Sequence, residues 1–131
     1  MCVSLSRGTT EIIAVGGFCE IDLAKVERYF LPVKKWTKLS PLNTPRNYAG
    51  CCILHSKRSF VFCGFSAGIW LNSIESNDLS NHGEWKTLPL DSNVKALFHV
   101  AAVEISGCIL VFGGFSSNLG MMKFDLEGNL L

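Results

Sequence analysis

The sequence predicts an all-β chain built from repeated units, and two observations carry that prediction. One apolar segment occurs three times: Glu11-Ile12-Ile13-Ala14-Val15-Gly16-Gly17-Phe18, Ser59-Phe60-Val61-Phe62-Cys63-Gly64-Phe65, and Cys108-Ile109-Leu110-Val111-Phe112-Gly113-Gly114-Phe115. Their second glycines, Gly17, Gly64 and Gly114, lie 47 and 50 residues apart, and Trp36 and Trp85 repeat at 49. The second observation is that short apolar runs alternate with a few polar residues, the pattern of β-hairpins. A period of 40–50 residues points to a propeller or solenoid, in which each unit needs its neighbours to bury its faces.

Three units follow in order, at about residues 1–40, 41–89 and 90–131. In the first, an opening strand falls at residues 2–5. A second strand over 12–15 ends at Gly16-Gly17, a third covers 26–30 and a fourth 35–39. The middle unit is the most complete. Its first two strands, 49–54 and 59–63, flank the polar turn His55-Ser56-Lys57-Arg58, and neither alternates cleanly, which suits strands buried on both faces. A loop over 65–70 leads to a third strand within 71–79, and the turn Ser80-Asn81-His82-Gly83 to a fourth over 84–88. The third unit supplies strands at 99–103, 108–112 and 121–126. Gly128-Asn129 then marks the turn before a tryptophan strand that does not arrive.

Four antiparallel strands per unit describe a propeller blade. In these residues the units resemble kelch repeats. That family's pattern is a double glycine after the second strand, an aromatic in the third and a tryptophan some residues later. Val26-Glu27-Arg28-Tyr29 with Trp36, Leu71-Asn72-Ser73-Ile74-Glu75 with Trp85, and the leader Thr44-Pro45-Arg46-Asn47-Tyr48-Ala49-Gly50 match it. There are departures: the middle double glycine is Cys63-Gly64, Asn77 replaces the third-strand aromatic, and the leading arginine, Arg46, becomes Lys95 or is missing in the third unit. The resemblance implies a partial kelch-type β-propeller of about three four-stranded antiparallel blades. Such an incomplete ring exposes apolar edges. It predicts a fragment of a longer repeat protein, with a homodimer completing the ring as the alternative.

Composition excludes some classes. Twelve basic and eleven acidic residues give a net charge of +1 with no concentrated basic face, which argues against nucleic-acid binding. No stretch approaches the ~20 apolar residues of a membrane helix, and residues 1–7 lack the features of a secretory signal. Four of the six cysteines, Cys51, Cys52, Cys63 and Cys108, sit in apolar runs and read as free, buried thiols in a reducing, cytoplasmic compartment. No CxxC pair marks a metal site, and His55, His82 and His99 are too dispersed to hold one; neither a metal nor a cofactor is expected.

Gly64-Phe65-Ser66-Ala67-Gly68 fits a nucleophile elbow, with Asp78 or Asp91 and His99 in the chain order of an α/β-hydrolase. The equivalent Gly114-Phe115-Ser116-Ser117 lacks the pattern and no helical period follows, so Ser66 reads as a repeat loop residue. The double glycines suit positive φ or close backbone approach, and Trp36 and Trp85 are expected to fill the space between units.

Binding is then expected through loops. In kelch propellers the fourth-to-first and second-to-third loops share a face, which the resemblance carries onto residues 43–48, 65–70, 91–98 and 115–119. The candidate contact residues are Arg46, Tyr48, Ser66, Trp70, Lys95, Phe98 and Ser116, with Arg46 matching a family arginine that is mostly structural. The implied function is a protein-interaction module, such as the reading part of a ubiquitin-ligase adaptor or a cytoskeletal or signalling scaffold. The alternative is an epimerase- or specifier-like enzyme on the same scaffold, for which Glu20, Asp22 and His99 are the available groups.

Overall fold

Short polar turns between apolar runs dictate antiparallel pairing of consecutive strands, and the computed structural model is an all-β chain of small antiparallel sheets. It describes residues 2–5, 10–54, 58–81, 83–89, 91–114 and 120–131. The first sheet contains β1 (Cys2–Leu5) and β2 (Glu11–Val15). The ribbon β3 (Phe18–Cys19) and β4 (Ile21–Asp22) comes next, and then β5 (Val26–Phe30) and β6 (Lys35–Lys38) complete that sheet. The middle unit repeats this plan with β7 (Gly50–Ile53), β8 (Arg58–Phe62), the ribbon β9 (Phe65–Ser66) and β10 (Ile69–Trp70), β11 (Ile74–Asp78) and β12 (Lys86–Thr87). The third sheet has β13 (Val100–Ile105), β14 (Cys108–Gly113) and β15 (Gly120–Phe124). Spatial orders are β1-β2-β5-β6, β7-β8-β11-β12 and β13-β14-β15. Among the described residues no helix is long and apolar enough to cross a membrane.

Local chemistry explains the connections. The Ser106-Gly107 turn has φ +49° and +77°, the two positive values of a two-residue hairpin turn that follows strand twist. A 3₁₀ turn at Leu31–Val33 carries Pro32 at its second position and closes on Lys34 in the left-handed region before β6 begins.

The register makes the units comparable residue by residue. Ala14 pairs with Glu27, Val61 with Glu75, and Val111 with Met122. Glu27, Glu75 and Met122 therefore occupy one position, and Tyr29, Asn77 and Phe124 another. Backbone hydrogen bonds repeat in the same frame. Gly17 N–H donates to Arg46 C=O, Arg46 N–H to Leu23 C=O, and Leu23 N–H to Gly17 C=O. Gly64, Leu97 and Leu71 form the same triangle. Leu97, not Lys95, thus stands where Arg46 stands. Matching by charge displaced the alignment by two residues, because backbone pairing, and not side-chain type, defines the position.

The middle sheet lies between the other two and is apolar on both faces. Cys51, Ile53, Val61 and Trp85 pack with Ile13, Val15 and Val26 of the first sheet. Cys52, Leu54, Phe60, Phe62 and Ile74 pack with Ile109, Val111, Met122 and Phe124 of the third. Phe60 and Phe62 are fully buried, each worth about 1.5–3 kcal/mol relative to exposure. The inner strands β7 and β13 run so close that a side chain on Gly50 would meet Ala101 backbone at 3.2 Å.

Two expectations are corrected. Trp85 is buried and donates from Nε1 to Ser40 C=O at 3.0 Å, but Trp36 is 48% exposed and leans on Tyr29 at 5.0 Å. Among the described residues no sheet lies against that face of the first unit, so Trp36 has no neighbouring sheet to pack against. Cys51 is disulfide-bonded, whereas Cys52, Cys63 and Cys108 are buried free thiols and Cys19 an exposed one. Alternation along β7 sends Cys51 and Cys52 to opposite faces, which separates their fates. The third unit turns at Gly128 as expected, and Leu130 bridges to Phe124 where a fourth strand would begin.

Candidate functional site: an aromatic loop face

The leader segments of the second and third units deliver the site's rings. Equivalent positions carry Tyr48 and His99, and both adopt left-handed backbone, φ +51° and +56°, without being glycine. Such a residue costs on the order of 1–3 kcal/mol and persists only where its surroundings enforce it. The enforcement is visible: Gly64 and Gly113 sit against the Asn47 and His99 carbonyls, at 2.6 and 2.8 Å from where a Cβ would lie. Val100 N–H donates to Tyr48 C=O at 3.4 Å. The result sets the Tyr48 and His99 rings 4.1 Å apart at the surface.

Phe98 is the hub of the group. Its ring lies 4.9 Å from Trp70, 5.0 Å from His99, 6.3 Å from Tyr48 and 6.4 Å from Phe65. Tyr48 and Trp70 remain about half exposed and Phe98 is half-buried. Contacts among aromatic rings at these spacings are worth ~0.5–1.5 kcal/mol beyond burial. The cluster is therefore held in place before anything binds it.

Asp22 ties the ribbons to this platform. Its carboxylate accepts from Asn47 Nδ2 and, at 2.8 Å, from the Ala67 amide in the β9–β10 turn. Asn47 also pairs through its backbone with Phe65 in both directions. Among the described residues its Oδ1 is buried with no hydrogen-bond partner. Exposed Ile21 and Ile69 cap the two ribbons.

Arg46 does not belong to the exposed face. It is buried and donates to Glu75 at 2.6 Å, to Cys63 C=O at 2.9 Å, and to Ser73 C=O at 3.1 Å. Glu75 in turn accepts from the amides of Asn43 and Thr44 at 2.7 and 3.0 Å. Burial pulls the Arg46 pKa down and the Glu75 carboxylate opposes that shift. The pair fastens the leader segment to β11.

The sequence candidates now separate. Tyr48, Trp70 and Phe98 converge. Ser66 is half-buried in β9, paired with Ile69, and the segment 64–68 forms a hairpin where an elbow would need a following helix. Lys95 is exposed near Cys63, whose thiol reaches its carbonyl at 3.6 Å. Ser116 lies outside the described residues. Sequence reasoning did not place Phe65 or His99 among the binding candidates. The signal for His99 was its equivalence to Tyr48 in the repeat frame, and for Phe65 its recurrence after the second glycine, as Phe18 and Phe115. Among the described residues, no group of three His, Cys, Asp or Glu could hold a metal ion. No protein-family model and no curated protein matches the chain.

Proposed function

We propose that the chain is a partial kelch-type β-propeller of about three blades that acts as a protein-interaction module, and that it binds a protein partner through the Tyr48–Trp70–Phe98–His99 face. The observation that carries this reading is the preorganised cluster itself: four rings from two units, two of them on strained backbone, left open to solvent. Aromatic residues dominate interface hot spots, and rigid ones lose little entropy on binding. Three sheets with the same strand order, two of them closed by the same hydrogen-bonded triangle, support the propeller reading. Roles as a ubiquitin-ligase adaptor's reading part or as a cytoskeletal or signalling scaffold are the forms this function takes in the family it resembles. The enzymatic alternative draws no support from Asp22, whose carboxylate is engaged in fastening loops.

Cytoplasmic residence belongs to the same proposal and rests on the exposed Cys19 thiol; the Cys51 disulfide pulls against it. The test is affinity capture with the 131-residue chain against its Trp70→Ala and Phe98→Ala variants. A specific partner should be retained by the parent chain and weakened by about 1–3 kcal/mol in each variant, with the melting transition of Trp70→Ala little changed. Partners captured equally by all three would remove the aromatic face from the function.

A further inference from the structure

The two outer sheets present faces whose equivalents in the middle of the molecule are buried. On the third sheet, Val103 and Ile105 are 44% and 50% exposed, Phe112 is 44% and Met121 68% exposed, and Leu110 is half-buried. Their equivalents by register are Cys52, Leu54, Phe62, Ile74 and Phe60, none above 6%. The middle sheet's face is covered by the third sheet, and among the described residues nothing covers the third sheet's own. At the other end, Trp36 and Tyr29 occupy the positions of Trp85 and Asn77, which are 3% and 5% exposed. A single isolated apolar side chain needs no explanation; a whole sheet face of them does.

We infer that a second copy of this chain covers the third sheet with its own first sheet, head to tail. The chain carries both halves of a contact it already makes twice internally. At the second internal contact the Phe62 and Phe124 rings lie 4.9 Å apart. Phe112 and Tyr29 hold the corresponding positions, so Phe112 of one copy meets Tyr29 of the other. At the first, Trp85 packs in one cluster with Ile13, Val15 and Val26. Trp36 of a second copy then covers Leu110, Phe112 and Met121, the residues equivalent to those three. A contact between unlike surfaces either closes into a ring or grows as a filament. Two copies, each offering both faces, close it with two identical contacts. This inference is independent of what the loop face binds.

The test is sedimentation equilibrium on the whole chain and on the variants Met121→Glu and Trp36→Ala. Both sites are exposed in the single chain, and circular dichroism checks that each variant keeps its β spectrum. The expected result is a particle of two chains of 14.4 kDa each. Either substitution alone should raise the dimer dissociation constant by roughly tenfold or more. Mixing the two variants should restore part of the dimer, because the mixed pair keeps one contact with both natural faces. A monomeric parent chain overturns the inference, as does an aggregate that Met121→Glu leaves unchanged. A dimer that mixing fails to rescue overturns it as well, since that is the behaviour of like faces packing together.

Discussion

The second and third units solve one structural problem with opposite chemistry. Where the second buries Arg46 against Glu75, the third places Leu97 and Met122, both inside an apolar cluster. Both leaders are also tied to the preceding sheet by the same backbone triangle. The ion pair must recover the solvation of two charges, and it does so with seven hydrogen bonds: Arg46 donates five and Glu75 accepts two more from backbone amides. The apolar version loses no solvation. Replacing a buried ion pair by well-packed apolar residues is often neutral or stabilising, whereas removing one partner leaves a stranded charge. The comparison teaches that the charge pair secures which segment docks where, and adds little to how tightly.

The sharpest way to break that comparison is Glu75→Ala. It strands the Arg46 guanidinium and frees the Asn43 and Thr44 amides, for an expected loss of about 3–5 kcal/mol in a denaturant titration. The double variant Arg46→Leu/Glu75→Met transplants the third unit's solution into the second. It should cost clearly less than Glu75→Ala, with a residual of about 1–3 kcal/mol from the carbonyls of Cys63 and Ser73 and the two amides left unpaired. A double variant as unstable as the single one would mean that the ion pair itself, and not the stranded charge, holds the leader.

A milder contrast lies at the double-glycine position. Cys63 sits at φ +57° where the third unit has Gly113. Cys63→Gly relieves left-handed strain of about 1–2 kcal/mol but gives up a fully buried side chain worth a similar amount. The net change in stability should stay within about 1 kcal/mol, whereas Gly64→Ala, driven into the Asn47 carbonyl, should be well outside it.

The smallest effect is chemical. Burial pushes the Cys52 and Cys63 thiols up to about 11. The unfolded chain ionises these thiols near pH 9 while the folded chain keeps them neutral. Stability therefore holds below that pH and declines as pH rises toward 11. Maleimide labelling at neutral pH should modify Cys19 in the native protein, and Cys52, Cys63 and Cys108 only after denaturation.

Much of the strand pattern was legible because apolar runs and polar turns are local signals: β5 falls on the predicted residues, and most other strands within one or two. What escaped was relational. Trp36 and Trp85 stand in the same local pattern, yet one is exposed, since burial of a face depends on whether a sheet lies opposite. Lys95 was matched to Arg46 by charge, while Leu97 holds the position by pairing. Tyr48, Trp70 and Phe98 were found as loop aromatics. Their strained backbone was not, because no glycine announces the left-handed turn at Tyr48 or His99.

The triangle of backbone hydrogen bonds has a consequence for where the molecule can be divided. Gly17 is locked by Arg46, and Gly64 by Leu97, so each sheet is finished by the leader of the segment that follows it. The piece that repeats in sequence is therefore not the piece that folds. A cut at the end of a repeat, near residue 89, would remove the clasp from the sheet before it. A cut between Leu97 and the start of β13 at Val100 would keep that clasp, and would lay open only the face that the third sheet covers.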